Sequence, residues 1–336
     1  MHEHLKGKRF LVTGGTGTIG SQLVKKLLEY DAEVVRVFSR DEHKQYEMHE
    51  EYIAQNGGKD QRLRFLLGDV RDKDRLRRAM EGIDIVFHLA ALKHVPACEY
   101  NPTEAVKTNV LGTQNVIDCA IEADVSAVVY TSTDKAANPT NTMGASKLLA
   151  ERLIVSATEG WKGPRDIKFL SVRFGNVLNS RGSVIPLFKK QIASGGPLTV
   201  TEPAMTRFVM DIDRSVELML KALDISNGGE VFVFKMPVLR IGDLAQAMIE
   251  LHNKEVGFNI IGLRPGEKLY EELMSEEESA RALETDDMFI ILPFNSDSLR
   301  NISLYSSAFQ AKLGSYSSAN EDLVSVEKIK TMLNSI

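Results

Sequence analysis

The side chains best suited to acid–base chemistry lie in two short segments of this 336-residue chain. Thr131–Lys135 reads Thr-Ser-Thr-Asp-Lys, and Met143–Lys147 starts eight residues after it and ends in a second lysine. Asp134 and Lys135 are adjacent, so they share one site only if the backbone bends there. A lysine is a base near neutral pH only when burial or nearby positive charge lowers its pKa, and Lys147 supplies such a charge. The two segments are therefore open to two interpretations: a buried proton-transfer site in which the pKa of Lys135 is lowered, or a surface Asp–Lys pair that caps a turn.

Alternating strand and helix patterns surround these segments. Apolar β-branched runs predict strands over 9–13, 33–38, 63–67, 83–88, 127–131 and 169–173, with helices over 21–30, 73–80, 102–123 and 142–158. Such alternation predicts an α/β fold, a Rossmann-type doubly wound parallel sheet. The alternation of strands and helices ends after about residue 179, and 295–320 shows no clear secondary-structure pattern. We expect a dinucleotide-binding domain over 1–178, to which 205–235 returns, and a smaller C-terminal substrate-binding lobe from 179–204 and 236–336.

Composition narrows the functional classes. The formal net charge of −5 gives no basic surface for nucleic acid, so no nucleic-acid partner is expected. Two cysteines in a chain this long imply no disulfide framework and favour a cytoplasmic protein. No apolar run is long enough for membrane insertion, and the N-terminal residues do not resemble a signal peptide. No Cys/His/Asp spacing indicates a metal site.

A glycine-rich turn follows the first predicted strand and opens the first helix. Its glycines leave room for a tight turn, for a pyrophosphate against the backbone, and for close helix–strand packing. The free amides of the helix start would hold the phosphates. We therefore expect a nicotinamide dinucleotide here, contacted by Gly14, Thr16, Gly17, Thr18, Ile19 and Gly20.

The end of the second predicted strand favours NADP over NAD. An acidic residue at the strand end would suit the bare ribose of NAD, whereas this chain has Ser39 and Arg40 there, with Lys44 nearby. A solvated loop is the alternative interpretation of Arg40. Asp69 and Val70, after the third strand, are expected at the adenine edge.

Several motifs in order carry a family resemblance. With the glycine turn, His88–His94, Ser132–Lys135 and the spaced Lys147, the chain resembles the extended short-chain dehydrogenase/reductase superfamily. It is most similar to the soluble bacterial UDP-N-acetylglucosamine 4,6-dehydratases of surface-polysaccharide and nonulosonate biosynthesis. The resemblance runs from about residue 8 to residue 293, and includes the segments Arg173–Ser183, Met205–Phe208 and Ile261–Lys268.

The resemblance implies roles for individual residues. Asp134 would be the acid and Lys135 the base, and Lys147 would hold the nicotinamide ribose. Further cofactor contacts are implied for Ala90, Ala91 and Lys93. Contacts with the UDP-sugar are implied for Lys93, Asn176, Arg181, Ser183, Arg207, Arg264 and Glu267. The resemblance also implies a homo-oligomer.

The implied reaction is a closed redox cycle on UDP-N-acetylglucosamine. Hydride leaves sugar carbon 4 for NADP, a base removes the hydrogen on carbon 5, an acid protonates the departing 6-hydroxyl, and the hydride returns to carbon 6. The product is a UDP-2-acetamido-2,6-dideoxy-4-hexulose. Inversion at carbon 5 is favoured over retention, although the residues do not fix the stereochemistry.

Met143 stands where the family's tyrosine is expected. A thioether cannot accept the proton that leaves the 4-hydroxyl, so the hydroxyl of Thr133 or Ser132, with Lys147 behind it, is expected to accept it.

Two other functions stay open. A 4-epimerase normally keeps the tyrosine and has no use for an Asp–Lys pair. A catalytically silent NADP-binding regulatory protein is permitted by the missing tyrosine.

Overall fold

The computed structural model describes residues 3–160, 166–252, 256–294, 305 and 308–336. Its strands are β1 (Arg9–Thr13), β2 (Val34–Ser39), β3 (Leu63–Leu67), β4 (Ile85–His88), β5 (Ala127–Thr131), β6 (Lys168–Arg173), β7 (Asn176–Val177), β8 (Leu198–Val200), β9 (Thr206–Met210), β10 (Val231–Phe234), β11 (Val238–Arg240), β12 (Phe258–Ile260), β13 (Glu272–Met274), β14 (Ala282–Glu284), β15 (Met288–Ile291), β16 (Phe309–Gln310) and β17 (Tyr316–Ser317).

The α-helices are α1 (Thr18–Glu29), α2 (Glu42–Asn56), α3 (Lys73–Met80), α4 (Val95–Tyr100), α5 (Pro102–Ala105), α6 (Gly112–Glu122), α7 (Thr142–Gly160), α8 (Val184–Ala193), α9 (Ile212–Ile225), α10 (Ile241–Leu251), α11 (Glu276–Ser279) and α12 (Val326–Asn334). Short 3₁₀ turns cover Glu3–Leu5 and Asp134–Ala136, and a π-helical turn covers Val106–Leu111. Among the described helices, none is both long and apolar enough to cross a membrane.

The main sheet has ten strands in the order β16-β14-β15-β10-β6-β5-β4-β1-β2-β3. The seven strands from β10 to β3 run parallel, and β15, β14 and β16 continue the sheet antiparallel. The predicted α/β class with a Rossmann-type parallel sheet is therefore confirmed. Strand order reverses at β1, between β2 and β4, and ligands of such sheets bind beyond the carboxyl ends of the strands at this point.

Both faces of the sheet are covered, as the strand sequences require. Neighbouring strand residues point to opposite faces, so Leu11 and Val12 pack into different clusters. The Val12 cluster includes side chains of α1 and α9, and the Leu11 cluster includes side chains of α3, α6 and α7. The sheet is therefore a buried central layer that fixes the positions of its strand ends.

The predicted helix over 102–123 is divided by the π-helical turn. This turn holds Asn109, whose side-chain amide accepts from the Leu92 backbone N–H at 2.7 Å and donates to the Leu92 carbonyl at 3.0 Å. Single π turns are frequent at functional sites. Here the hydrogen bonds of Asn109 fix the loop after β4 to the π-helical turn.

Three smaller sheets lie beside the main one. They pair β7, β9 and β11, then β8 with β12, and β13 with β17. A third apolar cluster joins α8, α10 and α12 to β8 and β9. Of the predicted return over 205–235, β10 enters the main sheet, whereas β9 lies in the three-stranded sheet.

Candidate active site

The glycine turn between β1 and α1 has no room for side chains at two positions. Gly14 has φ of +69°, and a Cβ there would lie 2.8 Å from the Ala90 backbone nitrogen. A Cβ on Gly20 would lie 2.6 Å from the Gly14 carbonyl oxygen, because the helix passes so close to the turn. Gly17 precedes the helix and offers no side-chain cap. The first helical amides are thus left to bind an anion.

A cleft of about 750 Å³ opens at the carboxyl ends of the parallel strands, above the glycine turn. All the residues expected to contact a dinucleotide line it. They are Gly14, Thr16, Gly17, Thr18, Ile19, Gly20, Ser39, Arg40, Lys44, Asp69, Val70, Ala90, Ala91, Lys93 and Lys147. The structure therefore brings together a set of residues that the sequence spreads over more than a hundred positions.

The end of β2 presents positive charge to the cleft. Ser39 contacts the hydroxyl of Thr16 at 2.9 Å, which ties the strand end to the glycine turn. The nearby carboxylate, Asp41, caps α2 by accepting from the Lys44 backbone N–H at 3.0 Å, and it also pairs with the Lys44 ammonium. Arg40 is half-exposed and 3.3 Å from Asp69. Asp41 thus already has one oxygen bound by the Lys44 backbone N–H and the other by the Lys44 ammonium.

The predicted acid–base pair, Asp134 and Lys135, follows β5 on a 3₁₀ turn, which supplies the bend that the sequence requires. Asp134 is buried, and its Oδ1 accepts from the Thr133 hydroxyl at 2.7 Å and from the Lys135 ammonium at 2.9 Å. Its Oδ2 is buried without a hydrogen-bond partner among the described residues. Thr133 and Lys135 line the cleft, so the group is open to a ligand from that side.

Glu271, which the sequence did not indicate, is a third member of this group. Its Oε1 lies 3.3 Å from the Lys135 Nζ. Burial lowers the pKa of Lys135, but the carboxylates of Asp134 and Glu271 outweigh burial and raise it. The expected lowering of the Lys135 pKa is therefore wrong for this state of the molecule. The expectation failed because it counted Lys147 and not the carboxylates of the adjacent Asp134 and of Glu271.

Lys147 is a buried residue in the lining of the cleft. Its Nζ donates to the Thr131 carbonyl at 2.5 Å and lies 4.2 Å from the centre of the Tyr130 ring. Burial lowers its pKa to about 7, against the opposing effect of Glu151. The positive charge of Lys147 is thus costly to hold in this buried position.

Met143 packs into the wall of the cleft. It is buried against Cys98 and Ala105, and its side chain also lines the cleft. Next to it the Ser132 hydroxyl is buried and has no hydrogen-bond partner in the described parts of the chain, whereas the Thr133 hydroxyl is bound to Asp134. The hydroxyls of Ser132 and Thr133 therefore line the cleft together with Lys147, whereas Tyr130, whose ring lies beside Lys147, is not part of that lining.

The residues implied for the UDP-sugar divide into two groups. Lys93, Asn176, Arg181 and Ser183 line the cleft, and the Arg181 guanidinium donates to the Thr16 carbonyl at 2.5 Å, beside the glycine turn. Arg207, Arg264 and Glu267 lie outside this lining.

The second group belongs to one loop and the strand beside it. Arg207 is buried and donates to the Lys268 carbonyl at 2.9 Å, and Arg264 is exposed with its backbone N–H 3.1 Å from the Glu267 carboxylate. This loop docks on the residues before α7, where Asn141 donates to the Gly266 carbonyl at 3.0 Å.

Two further polar residues, His88 and Asn109, form hydrogen bonds within the protein. His88 is buried between the hydroxyls of Thr13 at 2.7 Å and Thr113 at 3.0 Å, and burial lowers its pKa to about 3, so it is neutral. Asn109 holds Leu92 and also donates to Ser146 at 2.9 Å. Nothing in the local sequence marked Asn109, because its role depends on the π turn. Within the described ranges, no group of three or more His, Cys, Asp or Glu side chains could hold a metal ion.

Comparisons with known proteins agree with this geometry. The X-ray structure of Pen from Bacillus thuringiensis superposes with a TM-score of 0.90 at 47% identity, covering 98% of each chain. The structure of the dTDP-glucose 4,6-dehydratase DesIV from Streptomyces venezuelae, with NAD and TYD bound, gives a TM-score of 0.68 at 26% identity, covering 78% of this chain and 86% of that one.

Two sequence relatives cover almost the whole chain. An uncharacterised membrane protein of Methanocaldococcus jannaschii is 49% identical over 98% of this chain and 96% of its own length. A UDP-glucose 4-epimerase of Rickettsia rickettsii is 42% identical over 97% of this chain and 95% of its own length.

The fold, the cleft and these likenesses define a class: the chain is a nicotinamide-dinucleotide-dependent enzyme that modifies nucleotide sugars. The profile of the family described as "Polysaccharide biosynthesis protein" matches residues 10–293. The chain belongs to this family.

Proposed function

We propose that the protein catalyses the NADP-dependent 4,6-dehydration of UDP-N-acetylglucosamine, a lyase reaction that gives a UDP-2-acetamido-2,6-dideoxy-4-hexulose. The observation that carries the proposal is the pairing of buried Asp134 with the partly buried Lys135 at the dinucleotide cleft. Met143 lines the same cleft, at the position where the family resemblance implies a tyrosine. Removal of water needs an acid and a base that act on neighbouring carbons. A simple exchange of hydride at carbon 4 needs neither.

The contacts support a division of labour among the side chains. Bound NADP would supply the chemistry of taking hydride from carbon 4 and returning it to carbon 6. The Thr133 hydroxyl would accept the 4-hydroxyl proton while passing its own to Asp134 Oδ1, 2.7 Å away. Asp134, now protonated, would protonate the departing 6-hydroxyl, and Lys135 would remove the hydrogen on carbon 5. Lys147 would hold the nicotinamide ribose and favour loss of the 4-hydroxyl proton.

Incubation with UDP-N-acetylglucosamine in deuterated water, followed by proton NMR, tests the proposal. We expect a new 6-methyl signal with deuterium at carbon 5, and the coupling pattern of the keto-sugar then gives the configuration at that carbon. A spectrum that stays unchanged, with dinucleotide bound to the protein, would contradict the proposal.

A 4-epimerase is the second candidate function. The relatives that favour it include the Rickettsia protein named UDP-glucose 4-epimerase, at 42% identity over 97% of this chain. The same NMR experiment separates the two functions, because an epimerase gives the carbon-4 epimer without loss of water and without a methyl signal.

Arg40 is expected to set the preference for NADP. Its half-exposed guanidinium borders the cleft at the end of β2, where Asp41 is occupied by the helix cap. Loss of one charge-assisted hydrogen bond to a phosphate costs about 1.5–3 kcal/mol, so Arg40→Ser should weaken NADP binding by about 10-fold to 100-fold. Binding of NAD should change little. Titration calorimetry with both cofactors measures this, with the exposed Arg78→Ser as the control. Equal weakening for NAD and NADP would refute the assignment.

The two hydroxyls beside Lys147 are expected to replace the missing phenol. The double variant Ser132→Ala with Thr133→Val should slow the first hydride transfer by at least about 100-fold, because a proton acceptor in the transition state contributes roughly that much. Single-turnover absorbance of the reduced nicotinamide measures the step. Ser156→Ala, an exposed serine of α7, is the control. Hydride transfer at the wild-type rate in the double variant would rule out both hydroxyls.

A further inference from the structure

Glu271 is fixed in place from both sides of its backbone. It lies directly before β13, and its N–H donates to the Ser318 hydroxyl at 2.9 Å. Its carbonyl accepts from the Ser318 N–H at 2.9 Å and from the Ser317 hydroxyl at 3.4 Å. The pairing of β13 with β17 thus presents this side chain to the turn after β5 as part of a rigid unit.

The Glu271 side chain completes the environment of the Lys135 ammonium. Only 3% of Glu271 is exposed, and its Oε1 is 3.3 Å from Lys135 Nζ, opposite the 2.9 Å contact with Asp134. Its Oε2 is buried and has no hydrogen-bond partner within the described ranges. The nearest other cation is Arg207, at 3.9 Å from Oε1. A buried carboxylate with one oxygen unsatisfied is costly, so an interaction with a proton or a ligand is expected of it.

We propose that Glu271 is a positioning residue that takes the proton of the Lys135 ammonium and so prepares Lys135 to act as the base. The inference rests on the proposed dehydration. In this step one N–H bond of Lys135 breaks and one O–H bond forms on Glu271 Oε1, with no other change. The freed amine then removes the hydrogen on carbon 5.

A count of protons leads to Glu271 rather than Asp134. Two carboxylate oxygens touch Lys135 Nζ among the described residues. Asp134 receives the 4-hydroxyl proton through Thr133 and spends it on the departing 6-hydroxyl. Glu271 is then the remaining acceptor for the ammonium proton. When Lys135 later gives its proton to carbon 5, Glu271 returns the one it holds, and every group recovers its starting charge.

The electrostatics of the group are compatible with this exchange. Burial raises the pKa of Glu271, Asp134 raises it further, and Lys135 and Arg207 oppose them. The resting form keeps the proton on Lys135, as the raised pKa of that lysine shows. A substrate that fills the cleft excludes water from both charges, and a neutral amine beside a neutral acid then becomes the less costly arrangement.

Glu271→Gln tests the proposal, because the amide keeps the shape and cannot take the proton. We expect the first hydride transfer to carbon 4 at the wild-type rate, with formation of the 6-methyl product slowed by at least about 100-fold and KM unchanged. The kcat of this variant should rise steadily with pH where the wild type is flat, because hydroxide must then deprotonate Lys135. Glu271→Asp should recover activity to within about tenfold of the wild type. Glu272→Gln, the same change one residue later, is the matched control.

The outcomes are distinguishable. If the wild type and Glu271→Gln form the 6-methyl product at similar rates and with the same pH profile, the proposed role of Glu271 is overturned. The proposed dehydration is then still supported. Equal loss of both steps together with a lowered Tm would also overturn it, since that pattern indicates a structural role. If the wild type forms no 6-methyl product, the proposed dehydration fails, and the role of Glu271 fails with it.

Discussion

Lys135→Met is expected to stop the loss of water while leaving the first oxidation intact. The variant keeps the apolar stem but loses the amine that lies between Asp134 and Glu271. A positioned base raises the reaction rate by about 10²-fold to 10⁴-fold, so the rate of formation of the 6-methyl product should fall by that factor. In the proposed reaction, hydride transfer to the cofactor does not use this amine. Reduced nicotinamide should therefore accumulate to about one equivalent per site, which its absorbance measures directly.

The same variant separates the two candidate functions. A 4-epimerase has no step for Lys135, so Lys135→Met would give the carbon-4 epimer at an undiminished rate. Lys189→Met, which removes an exposed lysine of α8, is the control for general effects of the substitution. Formation of the 6-methyl product by Lys135→Met at the wild-type rate would show that the lysine is not the base.

The parallel part of the fold could be predicted because its signals are local. Buried parallel strands read as continuous apolar runs, and β1 to β6 begin and end within two residues of the predicted limits. The antiparallel strands β14, β15 and β16 were not predicted. They are two to four residues long, and their place beside β10 is set by pairing with distant strands rather than by any periodicity of their own.

The candidate site divides in the same way. The glycine turn and the residues after β5 were recognisable because each is a short motif next to a strand. Glu271 and Asn109 were missed, since each acts on a residue far away in the chain, Lys135 and Leu92 respectively. The wrong prediction for the Lys135 pKa has this cause only in part, since the carboxylate of Glu271 adds to that of the adjacent Asp134. A pKa depends on every charge within a few ångströms, and the sequence gives only the charges that are neighbours along the chain.

Arg173→Met is expected to destabilise the protein strongly. Arg173 is fully buried at the end of β6, where its guanidinium binds Glu151 of α7 at 2.5 Å and Glu278 of α11 at 2.7 Å. Methionine fills a similar volume but removes the cation from buried Glu151 and leaves buried Glu278 with the more distant Arg152, at 3.7 Å. Breaking a buried ion pair from one side costs about 3–5 kcal/mol. For a chain of 336 residues, the midpoint of thermal unfolding should therefore fall by about 4–7 °C.

Two companion variants separate charge from packing. Arg173→Met combined with Glu151→Gln and Glu278→Gln removes the uncompensated charges and should recover most of the stability. Arg9→Met, which breaks an exposed pair with Glu33, should leave the midpoint almost unchanged. A triple variant as unstable as Arg173→Met alone would assign the loss to packing.

The pH dependence of this loss gives the sharper test. Burial raises the pKa of Glu278, but hydrogen bonds and charge from Arg173 outweigh burial and lower it in the wild type. A carboxylate with a lowered folded-state pKa stabilises the protein above its unfolded pKa and loses that contribution as the pH falls through the folded one. Without Arg173, burial dominates and the sign reverses, so the variant is favoured by low pH. The difference in stability between wild type and variant should therefore shrink from about pH 8 to about pH 5. A difference that stays constant over this range would mean that Arg173 acts through its shape and not through its charge.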